Sequence, residues 1–387
     1  MIHILLFIIY LAFISLGLPD GLLGSAWPNM RADLNVPISY AGIITIIICI
    51  GTVISSLFSG FLNRKLKTGL IVAISVLLTA TALLGFYFSH SFILLCIFAI
   101  PYGFGAGSID AALNNYVAIH YKSKHMSWLH CMWGIGATVG PYAMSYVLTN
   151  NMPWNNGYLC IAIIQLVLTF IMFMSLPLWK KRTNDNNEAI AKKLSFKDII
   201  STKGFIILII CFFSYSALEQ TTILWASSYL IAKNGISDSL ASSLASLFFI
   251  GITSGRFISG FIAIKLKDRY MIRVGYTIII IGIILLLFNS HISMAYIGLI
   301  LIGLGCAPIY PSVIHSVPGY FGIDKSQSLI GILMAMSYTS TLFMPPFFGV
   351  LADLITPSIL PIYLLIFLII LISTHELVVR KVKKNIS

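Results

Sequence analysis

The sequence predicts an all-α polytopic membrane protein of twelve transmembrane helices in two pseudo-symmetric sets of six. Three observations predict it. Of 387 residues, 58% are hydrophobic and only 9% charged, where a soluble domain carries roughly 25% charged residues. The apolar residues come in long blocks, each enough to cross a bilayer as a helix. The second half also repeats the first at an offset of 200 residues.

The spans are expected near residues 4–30, 38–62, 69–89, 92–119, 127–149, 157–179, 204–232, 238–264, 271–289, 292–315, 327–352 and 356–375. The chain opens on Met1-Ile2-His3 and then turns apolar, with no basic n-region and no small-residue cleavage site. It therefore reads as a retained first span rather than a signal peptide. Connections are short except for residues 181–203, a polar, basic linker between an N-terminal bundle (1–180) and a C-terminal bundle (204–387). Within the linker, Ser195 suits the cap of a short amphipathic helix that lays Phe196, Ile199 and Ile200 along the membrane surface.

With both termini in the cytoplasm, 21 of the 24 Lys and Arg fall on the inner side; Arg31 and Lys233 fall outside and Arg256 lies within a span. Such a bias sets the topology of a multi-pass protein in the cell membrane. It also accounts for the net charge of +12, which in a soluble chain would suggest nucleic acid; here the surrounding partner is the lipid bilayer, and no nucleic acid is expected. The six cysteines lie in or beside apolar runs without CxxC spacing, so neither disulfides nor a metal site is expected.

The repeat is plain in Ile50–Lys67, IGTVISSLFSGFLNRKLK, against Ile250–Lys267, IGITSGRFISGFIAIKLK, with eight identities in eighteen positions. The same offset pairs Gly103 and Gly105 with Gly303 and Gly305, and Asp20 with Gln220, beside Glu219. A parallel six-span repeat is a transporter architecture and not one expected of a channel or receptor.

In the fourth span, Gly103, Gly107, Asp110 and Asn114 fall at i, i+4, i+7 and i+11 and share one helical face. Small residues admit a close neighbour, and an acid at membrane depth needs a wet cavity or a partner. The face is read as lining a polar pathway; the plainer reading is that Asp110 only hydrogen-bonds a neighbouring helix. Its glycines, with their mates Gly303 and Gly305, are expected to be sliding surfaces.

Asp20 sits in Gly17-Leu-Pro-Asp-Gly-Leu-Leu-Gly, where Pro19 removes a backbone donor and the glycines loosen the helix. The acid is expected to face the central cavity, against a local structural role at a kink. Glu219 and Gln220 hold the corresponding place in span seven, with Trp225 beyond them and Asn115 beside Asn114 in span four. Amides, an acid and flat apolar rings are what a sugar needs, so Asn114, Asn115, Trp133, Glu219, Gln220 and Trp225 are the candidate substrate-binding residues. Any one tryptophan here, Trp27 included, reads first as an ordinary packer or interface anchor. His130 suits either a proton relay or hydrogen-bonded packing. Arg256, near Gly251, Gly255 and Gly260, reads as a structural interhelical pair, with substrate contact as the alternative. No nucleotide-binding fingerprint and no HExxH or GxSxG motif occurs, which argues against an ATP-driven pump and an intramembrane enzyme. No cofactor is expected.

Taken together, the chain resembles the major facilitator superfamily along its whole length. Gly60-Phe-Leu-Asn-Arg-Lys-Leu-Lys after span two is similar to that superfamily's glycine-plus-basic signature, with Arg64 where an acid is usual. Within the superfamily it most resembles the fucose and glucose permease branch of sugar–proton symporters. Gly103–Asp110 is similar to that branch's fourth-span pattern of glycines and an acid, Asn114 to an amide found there, Asp20 to a first-span acid, and His130–Pro141 to its fifth span. The resemblance implies a monomer in which Asp20 and Asp110 carry the proton and help bind a small-molecule substrate such as a monosaccharide.

The expected mechanism is alternating access, the halves rocking about a central site. An acid that is neutral while the cavity is dry or filled, and ionised once open to the cytoplasm, carries a proton inward. Each proton gains about 2.3 kcal/mol per 100 mV, a several-tens-fold accumulation. The alternative is a proton-coupled exporter of drugs or small amphiphiles on the same fold, which Met132, Met144 and Trp133 suit. A lipid flippase is a third reading.

Overall fold

The computed structural model describes residues 2–37, 40–183, 194, 196–236, 241, 247–288 and 291–386. The helices are α1 (Ile2–Gly17), α2 (Leu22–Asp33), α3 (Tyr40–Leu57), α4 (Ser59–Lys65), α5 (Thr68–Phe88), α6 (Phe92–His120), α7 (Ser123–Thr149), α8 (Asn155–Met174) and α9 (Leu176–Thr183). They continue with α10 (Phe196–Ser201), α11 (Phe205–Asn234), α12 (Leu247–Ile262), α13 (Asp268–Leu287), α14 (Ile292–Cys306), α15 (Ile309–Phe321), α16 (Ile323–Leu354) and α17 (Leu360–Ile386). No strand occurs among the described residues.

Among the described residues, ten helices or helix pairs are long and apolar enough to cross a membrane. They account for ten of the twelve expected spans. The fifth, α7, is 27 residues long but carries Lys124, His125, Ser127 and His130, which dilute its apolar character. The eighth, α12, is a shorter apolar helix of 16 residues. The short helix expected in the linker is present as α10; its Ser195 cap lies outside the described residues.

The first span is broken. Pro19 has no N–H to donate and Gly21 takes a left-handed φ of +80°, so α1 stops at Gly17 and α2 restarts at Leu22. Asp20 stands in the gap.

By contacts the chain forms two units. The first gathers Met1–Tyr116, Leu129–Lys193 and Ile323–Ala335. Here α5 packs along α8, and α3 meets α6 with almost nothing between the backbones. A Cβ on Gly103 would overlap the carbonyl oxygen of Ile48, and one on Gly107 the carbonyl oxygen of Thr52. Two α3 hydroxyls close the seam, Thr52 donating to the Gly103 carbonyl at 3.2 Å and Ser56 to that of Gly107 at 3.3 Å. The glycine part of the α6 face thus lines no pathway, because α3 covers it.

The second unit gathers Val117–Trp128, Leu194–Gly322 and Met336–Ser387. Its α11 packs along α17, and α14 lies between α12 and α13. The glycine seam recurs at Gly303 and Gly305. A Cβ on Gly303 would overlap the carbonyl oxygen of Phe248, and one on Gly251 that of Ile300; Phe248 and Gly303 are Ile48 and Gly103 plus 200. Likewise Gly105 lies on the Ser75 carbonyl and Gly305 on that of Gly275. The sequence repeat is therefore a structural one. It also corrects the expected sliding role: both seams are contacts inside a unit, held by backbone-to-backbone packing that has no slack to slide.

Candidate functional site

Asp20 is brought to its partners by glycines. A Cβ on Gly17 would overlap the carbonyl oxygen of Trp133, and one on Gly136 that of Ile14, so α7 presses directly onto the end of α1. The indole of Trp133 then reaches the gap and donates to Asp20 Oδ2 at 2.8 Å, while Tyr102 on α6 donates to Oδ1 at 3.3 Å. Both donors are neutral, and Asp20 forms no ion pair among the described residues.

Deeper in the first unit, Asp110, Asn114 and His130 are each at most 5% exposed. Asn114 Nδ2 donates to Asp110 Oδ1 at 2.7 Å and to the Asp110 backbone carbonyl at 2.9 Å. His130 Nε2 lies 3.1 Å from Asn114 Oδ1, and Phe13 on α1 meets the imidazole at nearly a right angle, the ring centroids 5.3 Å apart. Asn115 turns to another helix, accepting from the Ser326 hydroxyl on α16 at 2.7 Å.

The second unit is built differently. Glu219 on α11 and Arg256 on α12 form a buried ion pair at 3.4 Å. Gln220 is half-buried beside it. Trp225 donates to the Pro345 carbonyl at 2.9 Å and packs edge-on against Phe348.

The arrangement joins Asp20 to Trp133, and Asp110 to Asn114 and His130, within the first unit; Asn115 and Trp225 have side-chain polar groups committed to α16. Sequence reasoning missed Tyr102. Its signal was slight: a tyrosine at mid-span has a hydroxyl that needs a partner.

A family model described as Major Facilitator Superfamily matches residues 9–233 and 208–384. The chain belongs to that superfamily. The glucose/mannose transporter GlcP of Bacillus subtilis (strain 168) is 23% identical over 286 residues, covering 68% of this chain and 69% of GlcP. Among solved structures, the superfamily transporter FucP in its outward conformation superposes with a TM-score of 0.79 at 13% identity, over 96% of this chain and 98% of FucP. The proton:xylose symporter XylE does so with a TM-score of 0.80 at 12% identity, over 97% of this chain and 95% of XylE. At these identities the two structures speak for the fold alone. The fold and family are those of multi-pass membrane transporters of small molecules and not of enzymes.

Proposed function

We propose that this superfamily transporter takes up a small polar solute, a monosaccharide, together with protons, by alternating access in the cell membrane. Asp20 and Asp110 carry the proton in this reading. Asn115, Trp133, Glu219, Gln220 and Trp225 supply the hydrogen bonds and ring surfaces for substrate, through the groups that their helix contacts leave open; Asn114, fully buried with both amide hydrogens on Asp110, serves the site through that acid. Residues 1–180 and 204–387 are the two moving halves and 181–203 their link, with both termini cytoplasmic as the Lys and Arg distribution favours.

One observation carries the reading. Asp20, at a helix break, is held by two neutral donors, whereas Glu219, at nearly the same place in the repeat, is paired to Arg256. A carboxylate without a cation can gain or lose its charge as its surroundings change from dry to wet. One locked to an arginine holds it. The asymmetry suits a carrier whose proton moves through the first repeat. That GlcP is a glucose/mannose transporter and XylE a proton:xylose symporter supports the same reading. Met144, which the exporter alternative needs in a cavity, is fully buried against Gly157.

The test is reconstitution into liposomes with a panel of labelled monosaccharides, with and without an inward proton gradient. Gradient-dependent accumulation of one sugar is expected; uptake indifferent to the gradient contradicts proton coupling.

A further inference from the structure

His130 has no assigned task so far, and its hydrogen bond to Asn114 gives it one. The argument begins at the Asp110 backbone carbonyl, which can only accept. The Asn114 atom facing it at 2.9 Å must therefore be Nδ2 and not Oδ1, so the amide has one orientation. With Nδ2 donating to Asp110, Asn114 Oδ1 is the atom left facing His130 Nε2 at 3.1 Å. An amide oxygen only accepts, so the imidazole carries its hydrogen on Nε2. The direction of these bonds is thus fixed: His130 donates to Asn114, and Asn114 donates to Asp110. The carboxylate is thus held through Oδ1, which accepts from Asn114 at 2.7 Å.

We infer that His130 is a positioning residue for Asp110, acting through the Asn114 amide to hold the carboxylate in place. This rests on the reading that Asp110 carries the coupled proton. Burial makes the link consequential, because His130 is 5% exposed and Asn114 fully buried, and a buried polar group left without its bond is costly. A packing role for the imidazole, against Phe13, predicts the opposite pattern of substitutions, since packing tolerates an apolar side chain of similar volume and positioning does not.

Two measurements decide. In proteoliposomes given the panel sugar that wild type accumulates, His130→Leu is expected to lower gradient-driven accumulation roughly five- to thirtyfold while leaving counterflow exchange unchanged. His130→Gln, whose amide N–H can stand in for Nε2–H, is expected to retain both, and Asn114→Leu to reproduce the His130→Leu loss from the other end of the chain. In an Asp110→Asn background His130→Leu should add nothing. Normal accumulation by His130→Leu or Asn114→Leu, or failure of His130→Gln at normal membrane levels, overturns the assignment. If Asp110→Asn itself still accumulates sugar, it is the coupling reading that fails. The second measurement needs no substrate: nitrogen-15 spectra of histidine-labelled protein in bilayers, with His130 identified by its loss in His130→Gln. A hydrogen on Nε2, with a resonance that moves in both Asn114→Leu and Asp110→Asn, supports the chain; a resonance unmoved by either overturns it.

Discussion

Trp133 donates its indole N–H to Asp20 Oδ2 at 2.8 Å, across a contact between α1 and α7 that only glycine at positions 17 and 136 permits. A hydrogen bond to a charged group contributes about 1.5–3 kcal/mol, so Trp133→Phe should lower uptake efficiency roughly ten- to hundredfold. Tyr102→Phe, which removes the longer 3.3 Å bond, should cost less. Initial rates of labelled sugar uptake at matched membrane levels check both.

Asp110→Asn should abolish uphill accumulation and spare counterflow exchange. The amide keeps an acceptor oxygen for Asn114 but cannot exchange a proton. Full gradient-driven accumulation in this variant would remove Asp110 from coupling.

The glycine seams should resist substitution in both repeats. Gly103→Ala and Gly303→Ala drive a methyl into the carbonyls of Ile48 and Phe248, an overpacking of about 1–3 kcal/mol. Gly24→Ala has no neighbouring atom within 4 Å and serves as the control. Thermal melting of the purified protein in detergent should fall for the first two and not for the third.

Arg256→Met should be more damaging than the loss of both charges. It leaves Glu219 buried beside no cation, a loss of about 3–5 kcal/mol, whereas Arg256→Met with Glu219→Met removes the unpaired charge as well. Recovery of melting temperature in the double variant checks the pair; a double variant as unstable as the sum of the singles contradicts it.

Much of this was legible in the residues. Pro19 between Gly17 and Gly21 announced the break that displays Asp20, and the 200-residue offset announced that the close contact at Gly103 recurs at Gly303. The i, i+4 spacing placed Asn114 over Asp110, as the structure has it. What could not be read was tertiary. Nothing local to Gly103 says that a helix from the same unit will cover it, because a small-residue face looks alike whether it is packed or open. Tyr102 lies in an apolar run that gives no sign of a carboxylate 82 positions earlier. Trp225 has the composition of a sugar platform, but where its N–H points depends on the carbonyl of Pro345, 120 residues away. Helix periodicity reports which residues share a face and not what the face meets.

The most direct test of the account is a pH electrode in a lightly buffered suspension of proteoliposomes to which the transported sugar is added. Asp20 gaining and losing a proton in each cycle predicts that wild type alkalinises the outer medium on sugar addition and that Asp20→Asn, present at equal density, does not. Alkalinisation of the same size and rate in Asp20→Asn would contradict it.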